Sequence, residues 1–149
     1  MLQRKKGLPK KGSRKKPHHR GGKASMPFFQ IFDLTNEFNI LRLICGLFLL
    51  PHFYAKASNL ELTYKIYDDF RLYPIKAWVF SCMAVEIVCA IGMVFAIYTR
   101  YVASLEAVFL FVAAWAVWRH SKGKWLWQIG GFEYCLFWGI CCIVVAMHG

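Results

Sequence analysis

Six ionisable side chains lie inside stretches apolar enough to cross a bilayer: Arg42, His52, Lys56, Glu86, Glu106 and Glu133. A charge at membrane depth costs about 2.5–3.5 kcal/mol on insertion scales unless it finds a partner or water. Three basic or potentially basic groups against three acids can neutralise one another, which points to a polar cluster inside a helix bundle. Such a cluster supports proton exchange, or the holding of a polar headgroup such as that of a quinone.

The elements that must position these groups are four apolar stretches, each long enough for a hydrocarbon layer of about 30 Å. They run from Phe38 to Ala57, Ala77 to Tyr98, Tyr101 to Trp118 and Trp125 to Met147. Thr99-Arg100 is read as the turn between the second and third spans, and 119–124 as the link between the third and fourth. Both are short enough to require antiparallel neighbours, so the expected fold class is all-α: an integral-membrane, antiparallel four-transmembrane-helix bundle. The longer connection, residues 58–76, carries Tyr, Asp and Pro and reads as a structured cap or short interfacial helix.

At roughly 1.5 Å of rise per residue, the charges sort into two levels. Arg42 and Glu106 share the inner one and are expected to form a structural ion pair. His52, Lys56, Glu86 and Glu133 share the upper one. On a helical wheel Arg42, Gly46, His52 and Lys56 fall within about 120°, so that this stripe can face the bundle while Leu, Ile and Phe face lipid. Pro51 is expected to kink the first span just before His52. The second span aligns Cys82, Glu86, Cys89 and Met93 on one side.

Charge is segregated. Residues 1–25 hold ten of the nineteen Lys and Arg and no acid, so nearly all of the +11 net charge belongs to an N-terminal tail, residues 1–37, expected to be largely disordered. The tail reads as a topology determinant held in the cytoplasm, able to contact anionic lipid. No aromatic interleaving or recognition fold accompanies it, so specific nucleic-acid binding is not expected. An even number of spans then places the C-terminus in the cytoplasm as well. The six cysteines all fall in apolar segments without a CxxC, which suits buried small hydrophobes rather than a disulfide framework or a metal site. His52 and His120 do not read as a bis-His haem pair.

Specific residues carry a family resemblance. Leu41-Arg42-Leu43, Gly46, Leu50-Pro51-His52 and Lys56 resemble the first span of the DoxX family. Glu86, Gly92 and Thr99-Arg100 are similar to its second, and Gly130-Gly131-Phe132-Glu133-Tyr134 to the Glu-Tyr signature of its fourth. The series covers residues 38–149; Glu106 and the tail lie outside the family pattern. The resemblance implies a four-helix membrane domain, commonly in a bacterial inner membrane, related to the membrane subunit of a thiosulfate:quinone oxidoreductase. If quinone chemistry carries over, the matching positions are Arg42, His52, Lys56, Glu86 and Glu133. His52 or Lys56 would hydrogen-bond a quinone oxygen and a carboxylate would deliver protons.

The candidate buried polar site is therefore His52, Lys56, Glu86, Glu133 and Tyr134. No flavin fingerprint, Fe–S spacing or haem pair is evident, so electrons would come from a partner subunit. The expected function is a membrane subunit of a quinone- or thiol-linked redox assembly, in contact with the bilayer and open to homo-oligomer formation. The alternative is a non-catalytic scaffold or assembly factor whose buried charges fix helix packing. A small transporter ranks third, because no internal repeat is evident.

Overall fold

The computed structural model describes residues 31–125 and 131–149. The tail from residue 1 to 30, with its lipid-binding expectation, lies outside the described residues, as do Trp127 and Gly130. Among the described residues six helices follow one another: α1 Glu37–Leu47, α2 Leu49–Ser58, α3 Leu60–Asp69, α4 Ile75–Val94, α5 Thr99–His120 and α6 Phe132–His148. Helices α1 and α2 together, α4, and α5 are each long and apolar enough to cross a membrane, and α6 is a shorter apolar helix. The described chain is an all-helical membrane bundle with α3 as its one amphipathic cap.

The capping residues explain where the first helices start. The Asn36 side chain accepts from the Phe38 amide at 2.9 Å and opens α1. Asn59 does the same for α3, accepting from Leu62 at 3.0 Å. Residues 31–36, which the composition assigns to the tail, form a turn in which Asp33 accepts from both the amide and hydroxyl of Thr35. Those two donors hold the Asp33 carboxyl below the usual range.

The break in the first span falls at Phe48, not immediately before His52. Pro51 is the third residue of α2; it has no amide to donate to Leu47, and its ring crowds that carbonyl one turn upstream. The span between α4 and α5 also differs from expectation. Thr99 and Arg100 already belong to α5, and the turn is Phe95 to Tyr98. Ala96 adopts φ 54° and closes α4 with two bonds, Ile97 N–H to Gly92 C=O at 2.8 Å and Ala96 N–H to Met93 C=O at 3.4 Å. That is a Schellman closure with alanine at the left-handed position where glycine is usual.

Arg42 completes this closure. Its guanidinium, only 4% exposed, donates to the carbonyls of Met93 and Val94, and to Ile31 of the preceding turn. The expected pair with Glu106 does not form; both Glu106 oxygens are buried without a hydrogen-bond partner. The two residues stand about one turn apart, Arg42 at the Met93–Val94 end of α4 and Glu106 beside Cys89, and the carboxyl-end carbonyls of α4 lie closer to the guanidinium. They present partial negative charge that a cation at the helix end satisfies.

The fourth helix starts at Phe132, seven residues later than the apolar run suggests, with Gly131 in its N-cap position. Its 17 residues reach about 25 Å, short of a full hydrocarbon layer. Packing is closest between α5 and α6, with α1 and α2 laid against α4. Gly46 permits that approach: a Cβ there would come within 2.8 Å of the Met93 Cβ. Val88, Val108, Phe137 and Ile140 remain exposed on the outside of the bundle, as lipid-facing residues should. Phe38 stacks on His148 at 3.7 Å, so both ends of the described chain meet at one face of the bundle.

Replacing Arg42 with Met should destabilise the bundle by about 2–4 kcal/mol, since charged hydrogen bonds contribute roughly 1.5–3 kcal/mol each and are not additive. The isosteric change Glu106→Gln should leave stability nearly unchanged. Reversible unfolding in bicelles measures both; equal losses would restore the Arg42–Glu106 pair.

Candidate functional site

Of the upper charges, Lys56 and Glu86 meet. Lys56 on α2 forms an ion pair with Glu86 on α4, with side-chain exposures of 20% and 4%. The stripe below it is buried as aligned: Cys82, Glu86, Cys89 and Met93 all face inward. Only one Glu86 oxygen is used by Lys56. The other, Oε2, is buried with no hydrogen-bond partner.

This pair forms part of the wall of a cavity of about 360 Å³. The volume sits at the lower end of the range typical for small-molecule sites. Trp78, Phe109, Trp115 and Trp138 supply aromatic walls, while Cys82 and Cys135 bring thiols from facing helices. Helix α3 and the turn after it contribute Ile66, Tyr67, Phe70 and Leu72. The connection expected as a cap is thus one side of the site. Arg119 at the end of α5 holds it there, donating to the Phe70 carbonyl at 3.1 Å while its guanidinium lies 5.2 Å from the Trp115 ring centroid. Just outside, Tyr73 donates its hydroxyl to Asp68 at 2.6 Å, a bond that pushes the phenol pKa up.

His52 and Tyr134 line the same cavity but are exposed, so they stand at its open edge. Their rings are 6.0 Å apart, and His52 lies 5.4 Å from Trp138. The break at Phe48 separates the buried face of α1 from α2 and accounts for the position of His52 at the rim rather than inside the bundle. His120 packs edge-on against Phe70 at 5.0 Å and takes no part with His52.

Glu133 is buried in the first turn of α6, one residue from Tyr134, but it does not line the cavity. Its carboxylate folds back over Gly131, where a Cβ would come within 2.4 Å of an oxygen. A carboxylate in the first turn is favourably placed against the amino-end dipole. Of the five candidate residues, His52, Lys56, Glu86 and Tyr134 therefore share one cavity, and Glu133 supports the start of the helix that carries Tyr134. Sequence reasoning missed the aromatic walls. Trp78 and Trp115 stand near the ends of their apolar stretches, and nothing in the sequence marks them as neighbours.

The arrangement offers a fixed cation, a carboxylate with a free acceptor oxygen, and an imidazole and a phenol at the entrance. All are set in aromatic surroundings. It can hold a flat, weakly polar head by one oxygen at Lys56 and by a hydroxyl at Glu86, and can exchange a proton with it.

Removing one member of the ion pair should cost more than removing both. Lys56→Met should destabilise by about 2–3 kcal/mol, less than the ~3–5 kcal/mol of a fully buried pair because Lys56 keeps some exposure. The double change Lys56→Met with Glu86→Leu should recover most of that loss in the same unfolding assay.

The model of one protein family, DoxX, matches residues 38–119 of this chain. No curated protein and no solved structure matches it.

Proposed function

The chain belongs to the DoxX family, and from that membership and the cavity we propose that it is the membrane subunit of a redox assembly that binds a lipid-soluble carrier of the quinone class. One observation carries the reading. A Lys56–Glu86 pair with an unused carboxylate oxygen forms a polar spot in an otherwise largely apolar cavity within a membrane bundle. A quinone head has two carbonyl oxygens that become hydroxyls on two-electron, two-proton reduction. Lys56 suits the oxygen that accepts, and Glu86 Oε2 the hydroxyl that donates. His52 and Tyr134 at the open edge suit recognition of the second oxygen on entry. The electrons come from a partner protein, as nothing in the sequence marks a redox centre of its own.

A second reading has its own observation. Arg42 is used entirely in closing α4 and in anchoring the turn before α1. If Lys56 and Glu86 also serve only to hold α2 on α4, the protein is a scaffold whose buried charges set helix register. Glu86→Gln separates the two. The carrier reading expects quinone-dependent electron flux in membranes to fall at least about tenfold, the effect of losing a general acid–base group, with the bundle still folded. Loss of stability with no specific effect on flux supports the scaffold.

The proposed setting is a bacterial inner membrane, which rests on the family resemblance, with both termini in the cytoplasm, which rests on the ten basic residues of 1–25. A cysteine introduced at Ser25 should then be shielded from a membrane-impermeant thiol reagent added to intact cells, and one at Lys122 should react. The reverse pattern would invert the topology.

A further inference from the structure

One helical turn inward from the cavity, each of the four spans places one residue in a common layer. Leu49 lines the cavity and Cys45 lies four residues before it; Glu86 lines it and Cys89 follows by three. Leu110 lines it and Glu106 precedes by four; Trp138 lines it and Cys142 follows by four. In an up-down-up-down bundle these offsets all point the same way. The four residues are sealed from solvent, with exposures of 2% for Cys45 and 0% for Cys89, Glu106 and Cys142. The layer is three thiols and one carboxyl.

Glu106 is the anomaly in it. The cations at neighbouring levels are engaged elsewhere, Lys56 with Glu86 and Arg42 with backbone carbonyls. The Cys89 thiol packs beside the carboxyl from α4 and donates to the Val102 carbonyl at 3.8 Å, and Cys45 and Cys142 belong to the same buried core from α1 and α6. Neither oxygen of Glu106 has a hydrogen-bond partner. An anion so placed would be desolvated with nothing to compensate it, whereas a neutral acid loses far less. Among the described residues no group of three His, Cys, Asp or Glu is arranged to hold a metal ion.

We propose that Glu106 carries a proton in the resting protein and exchanges it with Glu86 across the turn that Cys89 occupies, so that this layer is the proton store of the cavity. The transfer balances within the protein: the Glu106 carboxyl loses a proton, the Glu86 carboxylate gains it at Oε2, and net charge is unchanged. A carrier reduced in the cavity then draws its proton from Glu86. That use rests on the carrier reading above; the presence and mobility of the proton do not.

The test uses the full chain in lipid nanodiscs, with isotope-labelled glutamate, and no quinone, so its result stands apart from the carrier reading. Infrared spectra should contain a protonated-carboxyl band that persists from mildly acidic to mildly alkaline buffer and disappears in Glu106→Gln. In heavy water that band should shift, and Cys89→Val should slow the shift several-fold. Absence of the acid band overturns the proposal, as does a band that survives in Glu106→Gln. A band that never shifts in heavy water, or one whose shift is as fast in Cys89→Val, overturns the exchange route. Should Glu106→Gln fail to fold, Glu106→Asp takes its place: the labelled-glutamate band must be lost there too, and its survival overturns the proposal.

Discussion

Every part of this bundle answers to one constraint: a charge carried to membrane depth must be given a partner there. The Lys56–Glu86 pair is the plainest answer, since it joins two spans and leaves one carboxylate oxygen unused. The cavity takes shape around it. Lys56 is drawn inward from a short helix that a break at Phe48 frees from the preceding one. Glu86 is presented by a stripe in which every inward residue is buried. The aromatic walls and the capping helix bury Glu86, while Lys56 keeps part of its side chain exposed.

The same constraint explains Arg42 by a different route. Helix α4 ends inside the bundle, where its last carbonyls would otherwise be unsatisfied, and backbone groups in that position cost several kcal/mol each in hydrocarbon. The left-handed turn at Ala96 satisfies Gly92 and Met93, and the guanidinium adds Val94 while sharing Met93. Arg42 is thereby committed to architecture. Glu106 is left as the group whose charge state, rather than whose partner, must adapt.

What was legible in the sequence divides along physical lines. Hydropathy and short links marked the spans, because the bilayer sets their length; the helix in residues 58–76 was also foreseen as a cap. Depth arithmetic matched Lys56 with Glu86 because rise per residue is nearly constant. It failed for Arg42 and Glu106, which stand about one turn apart, and the acceptors that won were backbone carbonyls. Those carbonyls became available through a turn with Ala, not Gly, at its left-handed position, which leaves no composition signal. The start of α6 was misplaced because Trp125 is apolar but not helical, and the helix begins only after Gly131 in its N-cap position. The cavity itself was invisible, since its walls come from residues on five helices that only tertiary packing brings together.

The central claim is that this cavity takes the head of a lipid-soluble carrier. The most direct measurement is photo-crosslinking of the protein in nanodiscs with a short-chain quinone bearing a photoreactive group on its head. The account predicts labelling of cavity residues near Lys56 and Glu86, suppressed by excess unlabelled quinone and reduced when Ala116 is enlarged to Phe. Labelling confined to the outer, lipid-facing residues, or cavity labelling that excess quinone does not suppress, would contradict it.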